Sequence, residues 1–418
     1  MTSRPVHEQS KLNLVQVCRG IAALLVLLFH DAITYFPLYS GSYDRGRVDG
    51  PTPFDFGHAG VDFFFVLSGF IILWAHWSDL GQPARLGRYA WRRFVRIYPT
   101  LWIALAFVLP IYFLRPDMGG GYERDLSVIL KSLTLWPQTH LPIIPPAWSL
   151  SHEMVFYGLF ALTIVHVRAG ILAFALWFGA IVAVAVFGSG FPLSFIGHAH
   201  NLQFFLGLGA AFYLRRYRTP MPWLIAVLGA ALFVGTGMVE TYHPDPARIG
   251  LSFLGLTAKL AYGLGSMLML LGVVEIERTR RLAVPALLVL LGEASYSVYL
   301  LHNALLSAAA RTLRAIGLHE IVTGWPAFAL LALIAIAGGV ALVESVEAVV
   351  YVFGALLLYV AYRALRGADE ASDPEANPTL RFVRRRVPPH LRGAGDAVSA
   401  HSARARVCWP KGKPIRSP

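Results

Sequence analysis

Arg19, His30, Asp62, Glu153, Lys259, Glu293, His302 and Glu344 interrupt the long apolar runs of this 418-residue chain. An ionisable side chain at the centre of a bilayer costs at least ~2.5–3.5 kcal/mol on insertion scales, so each is a functional candidate by default. Arg19 and His30 stand eleven apart. At ~100° and 1.5 Å per residue, a helix presents both from one face, roughly 16 Å apart along its axis. Imidazole, with a pKa near ~6.5, suits general base work, and a carboxylate such as Glu153 can orient it and stabilise the imidazolium. The arginines at 85, 88, 92, 93 and 96 offer planar guanidinium forks that match phosphate bidentately. Arginines at one rim, with carboxylates and imidazoles in the opposite half, suggest an anionic ligand entering from the arginine side and chemistry deeper in the bundle.

Each residue also has a plainer reading. A histidine at a helix end is commonly interfacial, and Glu153 can bond to a neighbour on its own helix. Asp62 can complement the dipole of a helix N-terminus, and the arginine-rich stretch can serve as a topogenic anchor. Lys259 is expected to snorkel or to pair with Glu293. His76, His166, His198, His200 and His243 receive no role. Ser68 and Gly69, within Phe63 to Phe70, suit an interhelical hydrogen bond and a close helix contact. There is no GxGxxG, Walker A, HExxH or GxSxG arrangement, so those enzyme classes lose their usual support. The two cysteines, Cys18 and Cys408, form neither a disulfide framework nor a metal-ligand spacing, and no metal is expected.

The elements that must position these groups are transmembrane helices. The chain is 56% hydrophobic and only 14% charged, against about 45–50% and 25% for soluble domains. Spans of ~20 apolar residues are predicted at 14–30, 60–77, 98–114, 148–167, 170–187, 196–214, 221–239, 251–274, 284–308 and 325–343. The first is read as an uncleaved helix rather than a signal peptide, because it holds Arg19 and lacks a convincing small-residue cleavage site. Spans four and five are joined by a very short turn at Arg168. The net charge of +12 falls in loops and reports topology rather than nucleic-acid binding. Arginine density favours a cytoplasmic N-terminus. The fold class is therefore an all-α polytopic membrane protein of about ten transmembrane helices. Residues 1–345 form the membrane-embedded domain, 346–366 an extra apolar segment of uncertain placement, and 367–418 a disordered basic cytoplasmic tail able to touch anionic lipid.

Together these segments resemble the integral-membrane acyltransferase family 3. The family's Arg-x10-His motif matches Arg19 to His30, and its second-helix signature matches Gly60 to Phe70. The basic stretch before helix three matches Arg92 to Pro99. The Trp-Ser-Leu-x-x-Glu-x-x-Phe-Tyr motif stands at Trp148 to Tyr157, and the late Gly-x-x-Ser-Tyr-Ser-x-Tyr-Leu-x-His motif at Gly292 to His302. Five motifs in the family's order cover residues 11 to about 345. Cys18 takes a place where leucine is usual, and the usual Glu-x-Pro ending is missing, with Glu344 in the glutamate's place. The wording of the first and fourth motifs is nearest to the exopolysaccharide-production branch.

The resemblance implies transfer of an acyl group, usually acetyl, from acyl-coenzyme A to a sugar hydroxyl. The acceptor is a lipopolysaccharide, exopolysaccharide or related glycan, free or lipid-linked, at the bacterial inner membrane. Acyl-coenzyme A acts as a co-substrate, and no permanently bound cofactor is implied. His30 and Glu153 are the candidate catalytic pair. Arg93 and Arg96 are assigned to the nucleotide end of the donor and Arg19 nearer the pantetheine or thioester. Asp62, Ser68, Tyr296 and His302 would support the site or bind the acceptor. Three routes stay open: His30 as base oriented by Glu153, Glu153 as base with His30 as electrophile, or an acyl-imidazole on His30. The rival reading is a carrier or flippase for a glycan or lipid-linked intermediate, since intramembrane Arg, Glu and His also mark substrate paths.

Overall fold

The computed structural model describes residues 12–41, 52–242, 253–280 and 282–341, and every regular element among them is helical. Helix α1 (Asn13–His30) continues through a π-helical turn (Asp31–Tyr35) into α2 (Phe36–Ser40). Then follow α3 (Gly60–His76), α4 (Leu86–Leu114), α5 (Leu126–Thr134), α6 (Trp148–Val165), α7 (Val167–Phe187) and α8 (Leu193–Ile196). The remaining helices are α9 (Leu202–Arg216), α10 (Pro222–Tyr242), α11 (Phe253–Thr279) and α12 (Ala286–Ala315), with α13 at Gly324–Ala341. Glu344, segment 346–366 and the tail 367–418 lie outside the described residues.

Eight helical segments among the described residues are long and apolar enough to cross a bilayer. Two of the ten expected spans differ. The stretch 196–214 is broken: Asn201 Nδ2 donates to the carbonyls of Phe195 and Ile196 at 3.2 and 2.8 Å, closing the end of α8. A 3-10 turn follows, so α9 has only 15 residues, short of the ~20 that a spanning helix needs. All but the first two residues of the stretch 284–308 lie within the 30-residue α12, which is long enough but too polar to join the eight.

A third difference bears on the site. The arginines from 88 to 96 do not precede the third span; α4 begins at Leu86 and carries them on its first turns. Arginine is a good helix former, so a basic run ahead of an apolar one extends the helix instead of ending it. Tyr89, Arg93 and Ile97, four apart, face the protein, while Arg88 and Arg92 are exposed. Helices α6 and α7 meet at His166, whose Nδ1 accepts the Ala169 N–H at 3.2 Å. Arg168 thus belongs to the first turn of α7.

Small residues set how closely the helices approach. A methyl added at Gly20 of α1 would lie 3.1 Å from the Gly292 nitrogen of α12, and one at Gly292 would run into the Gln16 carbonyl. Farther along the same two helices the rings of His30 and His302 meet, so α1 and α12 run parallel. On the other side of the site, a methyl at Gly69 of α3 would strike the Phe204 carbonyl of α9, and one at Gly207 the Val66 carbonyl.

Candidate active site

Helices α1, α3, α4, α6 and α12 line a cavity that is partly open to its surroundings. Helical periodicity explains which residues reach it. On α6, Ser149, Glu153 and Tyr157 are four apart; on α3, Phe64, Leu67, Ser68, Ile71 and Ile72 form one stripe. Arg19 enters from α1, Arg93 and Arg96 from α4, and Ser295, Tyr296 and Tyr299 from α12.

The cavity's polar groups are held from behind. Glu153 accepts hydrogen bonds from the Ser68 hydroxyl and from the Tyr157 hydroxyl, the latter at 3.0 Å. Tyr296 donates to the Ile97 carbonyl at 2.9 Å and Tyr299 to the Pro146 carbonyl at 3.0 Å, tying α12 to its neighbours. Arg19 Nη1 donates to Gln16 Oε1 at 2.8 Å. The Arg93 guanidinium lies 5.8 Å from the Tyr157 ring centroid, where cation–π attraction supports it. Both arginines keep a buried Nε–H with no hydrogen-bond partner. A buried unpaired charged donor costs more than a satisfied one, so the pair is matched to an anion that the cavity would receive.

His76, which sequence reasoning left without a role, stands behind Arg93. It is 1% exposed; its Nδ1–H donates to Asp79 Oδ2 at 2.8 Å, which leaves Nε2 to face Arg93 Nη2 at 3.4 Å. Asp79 and His76 sit three apart at the end of α3, yet Arg93 lies 17 residues beyond His76, so no local spacing announces the contact. His76→Ala is expected to loosen Arg93 and raise the apparent KM for an anionic substrate several-fold while kcat changes little. Steady-state kinetics check this, and an unchanged KM would make the relay incidental.

The imidazoles lie beyond the cavity. His302, fully buried, follows Tyr299 by one helical turn, and its Nε2 lies 3.1 Å from His30 Nδ1. Glu153 hydrogen-bonds to Ser68 and Tyr157, and the expected pairing of its carboxylate with the His30 ring is not made; His302 stands in that position. Asp62, the first-turn acid of α3, is also elsewhere. It is buried, accepts from Lys259 Nζ at 3.0 Å and Gln203 Nε2 at 2.9 Å, and has His200 Nε2 at 3.8 Å. Lys259, expected to snorkel or to pair with Glu293, pairs with Asp62. Next to His30, Asp31 is fully buried and neither carboxylate oxygen has a hydrogen-bond partner. It opens a π-helical turn, a distortion that often accompanies functional sites.

The geometry thus sorts the candidates into three places. Arg19, Arg93, Arg96, Glu153, Ser68 and Tyr296 share the cavity, His30 and His302 form a pair just past it, and Asp62 belongs to a separate ion-paired cluster.

No solved structure matches this chain. Among curated proteins, it is 29% identical over 281 residues to the exopolysaccharide production protein ExoZ of Rhizobium meliloti, covering 63% of this chain and 81% of that protein. It is 28% identical over 275 residues to the acyltransferase MdmB of Streptomyces mycarofaciens, covering 59% and 67%. The family model described as an acyltransferase domain matches residues 13–344. That match takes in every helix that walls the cavity, and the chain belongs to this family of membrane-embedded O-acyltransferases.

Proposed function

We propose that the protein transfers an acyl group, above all acetyl, from acyl-coenzyme A to a sugar hydroxyl of an exopolysaccharide, lipopolysaccharide or related glycan at the bacterial inner membrane. The observation that carries the donor assignment is the cavity's set of arginines, two of them with an unpartnered buried Nε–H. Coenzyme A bears several phosphate charges, and guanidinium groups bind phosphate by charge-assisted, bidentate hydrogen bonds. Arg93 and Arg96 take the nucleotide end. Arg19 takes the pantetheine or thioester region. The thioester then reaches past Tyr299 toward His30, following the ~16 Å that helical rise sets between Arg19 and His30 on α1. The similarity to the exopolysaccharide production protein of Rhizobium meliloti supports a glycan acceptor.

His30 receives the proton of the acceptor hydroxyl as its oxygen attacks the thioester carbonyl. The carbon–sulfur bond then breaks, and the departing thiolate takes the proton back from the imidazolium. The products are a sugar ester and a free thiol, and His30 ends neutral. Glu153, fixed by two hydroxyl donors, sets the charge and shape of the cavity beside the arginines.

The test uses purified protein in nanodiscs with radiolabelled acetyl-coenzyme A, following binding, thioester turnover and label retained on the protein. Saturable binding is expected, weakened about tenfold or more by the combined Arg93→Glu and Arg96→Glu substitutions, a change of at least ~1.4 kcal/mol. Absence of donor binding in a folded wild-type sample would overturn the acyl-coenzyme A assignment.

A further inference from the structure

The geometry points to His302 as the positioning residue that decides which nitrogen of His30 acts. It accepts the His30 Nδ1–H and thereby presents His30 Nε2, unprotonated, to the acceptor hydroxyl. This rests on the reading of His30 as the base and adds what sets its tautomer.

The argument begins at the Tyr299 carbonyl, which lies 2.6 Å from His302 Nδ1. A carbonyl can only accept, so Nδ1 carries the proton. A neutral imidazole has one donor and one acceptor, and His302 Nε2 must then hold the lone pair. That nitrogen is 3.1 Å from His30 Nδ1. Two lone pairs do not face each other at hydrogen-bond distance, so His30 Nδ1 is the donor. The same N–H lies 2.9 Å from the Val26 carbonyl, a second acceptor that agrees with the assignment. His30 Nε2 is left with its lone pair and makes no hydrogen bond to any described residue.

The Val26 carbonyl, one turn below His30 on α1 and already engaged in the helix's own ladder, holds that N–H together with His302. His302 approaches from another helix, held in place because Gly20 and Gly292 let α1 and α12 close together. It is fully buried, and its ring meets that of His30 at a centroid distance of 4.8 Å. When the acceptor's proton reaches Nε2, His30 becomes an imidazolium whose Nδ1–H still points at a lone pair. His302 keeps its own proton on Nδ1, donated to the Tyr299 carbonyl, throughout. It neither relays the proton nor changes charge, and the proton on His30 Nε2 leaves with the thiolate.

The experiment uses the full chain in nanodiscs with histidine labelled at the ring nitrogens. Nitrogen NMR reads the His30 tautomer, the His30→Ala variant identifies its signals, and kinetics run in parallel. Wild type should show His30 protonated at Nδ1. His302→Phe, which keeps the ring volume and removes both nitrogens, should bring in the Nε2-protonated form and lower kcat at least tenfold, with donor affinity unchanged. His302→Gln, whose amide oxygen can replace the lone pair, should restore the wild-type signature and most of kcat. If His30 stays Nδ1-protonated in His302→Phe, Val26 alone sets the tautomer and the proposal falls. The resting tautomer needs no donor, so a wild-type protein that binds no acetyl-coenzyme A would sink the donor assignment and leave the tautomer result to be judged separately.

Discussion

His30→Ala is expected to abolish acyl transfer, with turnover falling by about 10²–10⁴, the range typical for losing a general base. Donor affinity should change little, because the arginines that would hold the donor lie on α1 and α4 around the cavity, while His30 sits beyond Tyr299. The alanine also removes the ring that meets His302, so folding must be shown by retained donor binding. Turnover within tenfold of wild type in such a sample would remove His30 from the mechanism. The same variant separates two routes to the ester. Label retained on wild-type protein and lost in His30→Ala means an acyl-imidazole intermediate, whereas absence of retained label in both leaves direct attack with His30 as base.

Glu153→Gln is expected to be nearly as severe, about 10²-fold in turnover. The substitution preserves size but replaces an acceptor-only group that satisfies Ser68 and Tyr157 together. An amide has a single oxygen, and its NH₂ would face one of the two hydroxyls, so one anchor is lost or reversed. Removing the carboxylate also leaves Arg19, Arg93 and Arg96 around a cavity without its negative counterweight. Donor affinity should therefore hold or tighten while kcat falls. A loss of only a few-fold, with normal donor binding, would reduce Glu153 to a hydrogen-bond post between α3 and α6.

Much of this arrangement is legible from residue spacing. A helix has a fixed period, so Arg19 and His30 can be put on one face, and Ser149, Glu153 and Tyr157 on another, before any coordinates exist. The apolar runs likewise mark the spanning helices because bilayer thickness demands length. What periodicity does not provide is the azimuth of one helix against its neighbour. The pairing of His30 with Glu153 is reasonable by depth and residue type, yet α12 packs closer to α1 and supplies His302. Lys259 finds Asp62 across 197 residues of chain for the same reason. The arginines of α4 are misplaced on different grounds: hydropathy marks where a helix becomes apolar, and charge within it does not mark where the helix begins.

The parallel packing of α1 and α12 also bears on insertions and deletions. Gly20 faces Gly292 and His30 faces His302, and each helix advances by the same number of residues between its two contacts. Adding or removing one residue in that interval of either helix turns its histidine by ~100° and shifts it by 1.5 Å, parting the rings although every side chain is still present. A matched deletion in both helices would turn both histidines, changing how they face each other, and would still break the alignment of Arg19 with His30. The nearest spacings that return Arg19 and His30 to one face differ from the present one by four or seven residues, shortening the gap by ~6 Å or lengthening it by ~10 Å. This stretch of α1 should therefore tolerate exchange of its lipid-facing letters and reject any change in their number.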